Sequence, residues 1–427
     1  MVVDRYMPRV IDTQIADKLR SLPVVLVEGT RGCGKTTTSQ QFAASEILFD
    51  EDESARGHAS QGTLPLTEGA HPMLLDEWPL VPGLWDQVRR ASDRLGRPGR
   101  FILSASARPS DYIFRHSGAG RVGRILMRPM SLWESGTSTG TVSLGKLFDS
   151  GYEADLRPLT TSNATPADEL REVIDWLLRG GWPLTQHIEP RDAQEFARDY
   201  LNEVCRVDLP QTSNIRHNPQ GVRRLLASLA RNSASEASQN TLATDLGESG
   251  AIARQTVRAY LDALSSIFIY EPQPAWKVRL LSRATLRSSP KHHLVDPSLA
   301  TAALGASADS LFKDRQALGL LFESMVMRDL RVYAQACRSA VYHYRDKDKL
   351  EVDAILERDD GKWIAVEVKL GAPDAIEEAA QSLLKLTAKV DTSVMGAPSA
   401  LIIITSTGKP YMRTDGVGVV SITALKP

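Results

Sequence analysis

Val24-Val25-Leu26-Val27-Glu28, running into Gly29-Thr30-Arg31-Gly32-Cys33-Gly34-Lys35-Thr36, is the stretch on which the fold turns. The first five residues read as an apolar strand, and Thr36 to Ala44 contains no helix breaker. Between them stands the spacing G-x-x-x-x-G-K-[ST], a strand-to-helix loop that cradles phosphate. Gly29, Gly32 and Gly34 let backbone N–H groups turn inward around phosphate oxygens. Lys35 supplies a point charge to the β- and γ-phosphates, and Thr36 offers its hydroxyl to Mg²⁺. The helix that follows aims its unpaired N–H groups at the anion. The expected nucleotide set is Gly29, Thr30, Arg31, Gly32, Cys33, Gly34, Lys35, Thr36 and Thr37, with ATP and Mg²⁺ as the implied ligands. A glycine-rich turn without a ligand is disfavoured by the strand before it and the helix after it.

Pro72-Met73-Leu74-Leu75-Asp76-Glu77 reads as the second half of the site. An apolar strand delivers Asp76 to the magnesium shell, and Glu77 beside it polarises the attacking water. The next apolar run, Phe101-Ile102-Leu103-Ser104-Ala105-Ser106, ends in hydroxyls. Ser104 stands where such enzymes place a polar sensor of the γ-phosphate; ordinary strand-end polarity explains it equally well. Arg121 and Arg124 lie beyond, in Ser117-Gly118-Ala119-Gly120-Arg121-Val122-Gly123-Arg124. An arginine supplied by a neighbouring subunit stabilises transition-state charge, which makes a homo-oligomer the expected active form. A plain surface arginine is the competing reading for each.

Working outward, five runs alternate with helical stretches: Leu22–Glu28, Ile47–Asp50, Met73–Glu77, Phe101–Ala105 and Val122–Met127. Short apolar strands without polar alternation belong to a parallel sheet covered on both faces, so the expected fold is α/β, a P-loop NTPase with a doubly wound sheet. At 427 residues the chain exceeds one ordinary core. The expected division is 1–136 for the nucleotide domain, 137–165 as a Ser/Thr/Gly-rich linker, 166–300 as a helical and winged-helix region, and 301–427 as a second α/β domain.

The net charge of −1 leaves no global signature of a polyanion binder, so any nucleic-acid surface has to be a local patch. Three cysteines without a C-x-x-C pair argue against a disulfide framework or zinc site and fit a reducing compartment. No apolar run approaches the roughly 18 residues of a membrane helix, and residues 1–9 lack a signal-peptide core. A cytoplasmic protein without a membrane partner is expected.

Asn240–Leu246 and Ala251–Ser265 read as two helices joined by a Gly-containing turn; Val257, Tyr260, Leu261 and Leu264 form one apolar stripe. A β-rich stretch from Ile267 follows, and helix, turn, helix, hairpin is a winged-helix order that often binds DNA. No acidic residue stands between Glu271 and Asp296, whereas Lys277, Arg279, Arg283, Arg287 and Lys291 are cationic, with His292 and His293 adjacent. With Arg254 and Arg258 on the helix, this run is either a DNA-contacting patch or a solvated loop. Trp276 is either a base-stacking ring or core.

In the last 110 residues a helix bearing Glu323 precedes three strands. Asp353 interrupts Leu350–Leu356, and Glu367-Val368-Lys369 lies in Trp363–Leu370, where residues two apart share a face. Carboxylates on adjacent strands hold Mg²⁺ through oxygen, and a nearby Lys activates water. Glu323, Asp353, Glu367 and Lys369 are therefore candidate catalytic residues, with Asp353 and Glu367 the metal ligands. The pattern resembles the acid…D…E-x-K arrangement of restriction-endonuclease-like nucleases; a fold kept for binding, with Asp353 ion-paired to Lys369, is the alternative.

The whole chain resembles prokaryotic AAA-type ATPases with a C-terminal region called DUF4143. The segments that carry this are the phosphate loop, Leu74–Glu77, the sensor strand, Ala119–Val122, Leu126–Ser131, Gly180-Gly181-Trp182-Pro183, Lys291–Pro297, Leu321–Glu323 and Val366–Lys369. Ser104-Ala105-Ser106 replaces the usual Thr-Gly-Ser, keeping the hydroxyl, and Trp182 replaces Phe, keeping an aromatic. The resemblance implies an ATPase core, a winged helix and a nuclease-like C-terminal domain, with Arg121 as the arginine finger. Expected function is ATP hydrolysis that governs engagement of DNA, by cleavage or by binding alone. A kinase-like transferase is the remaining rival, and Glu77 beside Asp76 favours water as the acceptor.

Overall fold

The computed structural model describes residues 6–108, 118–151, 166–212, 218–246, 254–277 and 289–427. They divide into two compact units: Met1–Pro129 with Arg206–His217 and Asp262–Ile269, and Met130–Cys205 with Asn218–Leu261 and Tyr270–Pro427.

In the first unit, β1 (Val24–Glu28), β2 (Ser45–Leu48), β3 (Met73–Asp76), β4 (Phe101–Ala105) and β5 (Val122–Leu126) form one sheet. Their order is β2-β3-β4-β1-β5, with every pairing parallel. β1, β3 and β4 are buried at every residue. Leu26, Leu75 and Leu103 pack with Trp78, Trp85 and Val88, whereas Val25, Val27 and Ile102 pack with Ile11 and Ile15. Two-sided burial is why these strands read as unbroken apolar runs. The unit is an α/β P-loop NTPase fold, as expected.

The second unit corrects one expectation. Part of the presumed linker is ordered structure: β6 (Val142–Ser143) leads directly into the helix Leu144–Ser150, which Ser143 caps by accepting from the Lys146 N–H. Leu144, Leu147 and Phe148 are buried. Residues 152–165 lie outside the described residues.

Helices Pro166–Arg179, Pro190–Glu203, Pro219–Arg231 and Pro297–Leu304 pack together in this unit. Each starts on proline, whose missing N–H is no loss in a first turn. Helices Gln239–Asp245 and Arg254–Ser266 stand where the winged-helix pair is expected. Beyond them Tyr270 bridges Leu294 and Gln273 bridges Lys291, both antiparallel. Residues 247–253 and 278–288, the latter with Arg279, Arg283 and Arg287, fall outside the described residues.

After the long helix Arg315–Ala336 come β7 (Ser339–Arg345), β8 (Glu351–Arg358) and β9 (Trp363–Lys369), then β10 (Ala400–Thr405), β11 (Tyr411–Met412), β12 (Gly418–Ser421) and β13 (Leu425–Lys426). One mixed sheet runs β11-β12-β10-β9-β8-β7, and β13 pairs with β6. β7–β8–β9 is antiparallel, while β9–β10–β12 is parallel. Leu383 and Leu386 of the helix Pro373–Lys389 close one face against Ile355, Trp363 and Ile403. This is a second α/β domain.

Candidate functional site

At the C-terminal end of β1 the chain turns through Gly32 (φ 76°) and Gly34 (φ 102°) before the helix Lys35–Gln40 begins. These left-handed angles are open to glycine and strained for other residues. Gly29 is required for another reason: a Cβ there would fall on the Met127 carbonyl oxygen. Lys35 is 5 % exposed, and its Nζ donates to the Thr30 carbonyl at 3.1 Å, curled over the loop. The Cys33 thiol faces inward to the Met127 carbonyl, so only its backbone faces the loop interior. Arg31 is exposed and ion-paired with Asp208 at 2.9 Å, and Thr37 is exposed on the first helical turn.

Thr36 Oγ1 donates to Asp76, 3.0 and 3.1 Å from the two carboxylate oxygens. The Ser104 hydroxyl donates to Asp76 Oδ1 and accepts from the Glu77 N–H at 3.2 Å. Burial pushes the Asp76 carboxyl above its usual range, against the pull of these hydroxyls. A hydroxyl and a carboxylate that already meet are hard oxygen donors suited to Mg²⁺. Glu77 adopts φ 46°, ψ 45°, a left-handed conformation that is strained for a residue with a Cβ. Its carboxylate accepts from Ser106 N–H (3.3 Å) and Oγ (3.0 Å). Ser106, unremarked in the sequence reading beyond its hydroxyl, is thus the group that aims Glu77.

Arg121 sits at the other end of the sheet. Its carbonyl accepts from Val24 N–H, at the start of β1, whereas the phosphate loop follows Glu28 at the end. One five-residue strand, about 16 Å at ~3.3 Å per residue, separates them. Arg121 therefore cannot reach the phosphates of its own loop, and it pairs with Asp93 at 2.6 Å. Arg124 is tied to Glu28 at 2.7 Å.

In the second unit Glu323, Asp353, Glu367 and Lys369 do converge, with two additions. Lys291 Nζ lies 2.9 Å from Glu323, 2.8 Å from Glu351 and 3.3 Å from Asp353. Lys369 Nζ lies 2.7 Å from Glu367 and 3.5 Å from Asp353, whose Oδ2 also accepts from Val368 N–H at 2.9 Å. Burial raises Asp353, but Lys291 and Lys369 outweigh it and hold the carboxyl down at about 2. Burial, with the Asp353 charge, lifts Glu323 to about 7 and Glu367 well above its ordinary value. Burial disfavours the Lys291 ammonium, yet Asp353, Glu323 and Glu351 keep it charged. A cavity of about 780 Å³ beside the cluster is lined by Lys349, Glu351, Asp353, Glu367, Lys369 and Lys385 among others. Among the described residues, no three His, Cys, Asp or Glu side chains form a metal-holding group.

The basic-run reading is corrected here. Lys291, His292 and His293 are buried, at 1, 4 and 1 % exposure, and serve internal contacts. His292 bonds Tyr270 and His293 bonds Gln273 and Ser324. Trp276 is core: it packs on Trp363 and its Nε1–H donates to Glu357 at 2.9 Å. Only Lys277, Arg254 and Arg258 remain exposed among the described cations named for this patch. Glu351 was not singled out from the sequence, where it is one of several acids around the strand.

Gly180-Gly181-Trp182-Pro183 and Val295-Asp296-Pro297 prove structural. Asp296 accepts from Gly181 N–H and Ser298 N–H and pairs with Arg328 at 2.9 Å; Arg328 also pairs with Asp329 at 2.8 Å. The Trp182 Nε1–H donates to Ser298.

Comparison with known proteins gives three family-model matches. Residues 21–135 match the AAA domain model, residues 170–310 match Domain of unknown function DUF8612, and residues 318–425 match Domain of unknown function DUF4143. No curated protein matches the sequence. Among solved structures, a DNA replication initiation factor overlaps at 13% identity, covering 60% of this chain and 87% of that one, with a TM-score of 0.25. AMPPCP-bound DnaA from Aquifex aeolicus overlaps at 15% identity, 60% and 86% coverage and a TM-score of 0.26, as does DnaA bound to AMPPCP and single-stranded DNA. Superposition at that level bears on neither function nor substrate. No helix among the described residues is long and apolar enough to cross a membrane.

Proposed function

We propose that this chain, an AAA-type ATPase with a C-terminal DUF4143 domain, hydrolyses ATP to control the engagement of DNA by its other domains. One observation carries the hydrolytic part: Thr36, Asp76, Ser104 and Glu77 are joined by consecutive hydrogen bonds at the end of the sheet where the phosphate loop begins. Lys35 leaves the Thr30 carbonyl for a phosphate oxygen, exchanging one acceptor for a charged one. Glu77, aimed by Ser106, orients the attacking water and takes its proton. Ser104 fixes Asp76 and the Glu77 backbone at once, so it positions both acids. Thr36 and Asp76 would hold Mg²⁺, whose charge offsets that building on the β- and γ-oxygens. Arg121 acts on the nucleotide of a neighbouring copy. A cytoplasmic location belongs to this reading, and the free thiols at Cys33, Cys205 and Cys337 fit a reducing compartment.

Phosphate release from ATP is the test. Lys35→Ala is expected to abolish turnover, and Glu77→Gln to retain ATP binding while losing roughly 10²- to 10⁴-fold in kcat. Intact turnover in Lys35→Ala sinks the reading. DNA as partner rests on Arg254 and Arg258, exposed on the second helix of the winged-helix pair. Replacing both with Ala should lower the log–log salt slope of binding by about 2. An unchanged slope removes that helix from the interface.

A further inference from the structure

The resemblance to metal-dependent nucleases places a divalent cation against Asp353 and Glu367, and the side chains there do not fit one. Lys291 carries its ammonium into the cluster, with three carboxylate oxygens 2.8, 2.9 and 3.3 Å away. An ammonium has three N–H donors, and here it hydrogen-bonds Glu323 and Asp353 and ion-pairs with Glu351. Magnesium asks for oxygens at about 2.1 Å in an octahedron. Carboxylates held apart at ammonium distance do not form that shell.

The second oxygen of Asp353 is taken as well, by Val368 N–H and Lys369. Lys369 also claims Glu367. Both expected ligands are therefore already engaged by lysines.

Lys291 is not a surface side chain that has wandered in. Its N–H donates to the Gln273 carbonyl and its carbonyl accepts from Gln273 N–H, at 3.0 and 2.9 Å. Gln273 in turn donates to the Asp353 and Tyr342 carbonyls, both at 2.9 Å. The lysine and the strand it neutralises are thus fastened to one another through Gln273, by its backbone on one side and its side-chain amide on the other. To admit a soluble cation, the chain would have to expel a buried charge held by three carboxylates, which is strongly unfavourable.

We propose that Lys291 is a built-in cation standing in the place of the divalent metal, so that the DUF4143 domain binds its ligand without metal-dependent phosphodiester cleavage. The inference does not depend on ATP hydrolysis, and its test is run with the nucleotide site silenced. The full chain carrying Lys35→Ala is titrated with Mn²⁺ in the absence of nucleotide, followed by electron paramagnetic resonance. It is compared with the same chain carrying Asp353→Asn as well, and both are incubated with Mn²⁺ and labelled single- and double-stranded DNA. Superimposable Mn²⁺ isotherms and uncut DNA are expected. A saturable Mn²⁺ site, or Mn²⁺-dependent nicking, that disappears with Asp353→Asn overturns the proposal.

Lys291→Met supplies a second readout. Without the ammonium Glu323 and Glu351 lose this counter-ion and Asp353 keeps only Lys369, so its melting temperature should fall and recover on adding Mn²⁺. A folded Lys291→Met chain whose melting ignores Mn²⁺ also overturns the proposal. Should this variant not fold, the Asp353 comparison decides alone.

Discussion

At the scale of single residues, two positions make sharp predictions. Gly29 lies against the Met127 carbonyl, and Met127 is itself held by its N–H on the Glu28 carbonyl at 2.7 Å. Neither backbone can step aside, so Gly29→Ala should distort the phosphate loop, lowering ATP affinity and costing about 1–3 kcal/mol. Nucleotide fluorescence and thermal melting measure the two effects. His343 is fully buried; burial, then the Lys291 charge, depress its imidazole from 6.5 to about 4. The neutral ring is the folded form, so its contribution is complete above pH 6.5 and is lost as pH falls toward about 4. That span corresponds to roughly 3 kcal/mol. Guanidinium unfolding at pH 7, about 5.5 and about 4.5 should show this slope, and His343→Gln should flatten it. The grouping of Lys35, Thr36 and Glu77 at one end of the sheet was legible from neighbours in sequence. The left-handed backbone of Glu77 and its grip by Ser106, 29 residues on, were not.

At the scale of elements, the helix Arg315–Ala336 carries two kinds of charge with different duties. Glu323 faces the lysine cluster, whereas Arg328 and Asp329 lock the helix to Asp296 and to the Leu132 N–H. Asp296→Ala would leave Gly181 N–H and Ser298 N–H without their acceptor and Arg328 with only Asp329. Removing one partner from such a buried set costs roughly 3–5 kcal/mol. A lower urea midpoint is expected, with nucleotide hydrolysis unchanged in the fraction that stays folded. An unshifted midpoint would show that water replaces the carboxylate. The strands of the first sheet were legible because burial on both faces leaves one continuous apolar signal. The helix Leu144–Ser150 was not, because it lies in a Ser/Thr/Gly-rich surrounding and its three core residues are few.

At the scale of the whole molecule, the proposed role of Arg121 is to join one copy to another. Its position one strand length from its own phosphate loop is why the proposed role is in trans. Arg121→Ala alone should lose on the order of 10³-fold in turnover. Mixing Arg121→Ala with Lys35→Ala chains should restore part of it, since each supplies what the other lacks. Mixtures no more active than either variant would remove Arg121 from the site. Size-exclusion chromatography with and without ATP is the accompanying measurement of assembly.

The sequence alone determined the parallel sheet, the phosphate loop and the pairing of Asp76 with Thr36, because each rests on short-range spacing and periodicity. It also determined that Glu323, Asp353, Glu367 and Lys369 belong together, since strand alternation and element order carry that pattern. Only the tertiary structure decided what Lys291 is. In sequence it sits in a basic run and reads as surface. Its partners Glu323, Glu351 and Asp353 lie 32 to 62 residues further on, and burial among them follows from the Gln273 bridge that holds its strand. A charge becomes a surface contact or an internal counter-ion according to which long-range neighbours surround it, and local patterning does not encode those neighbours.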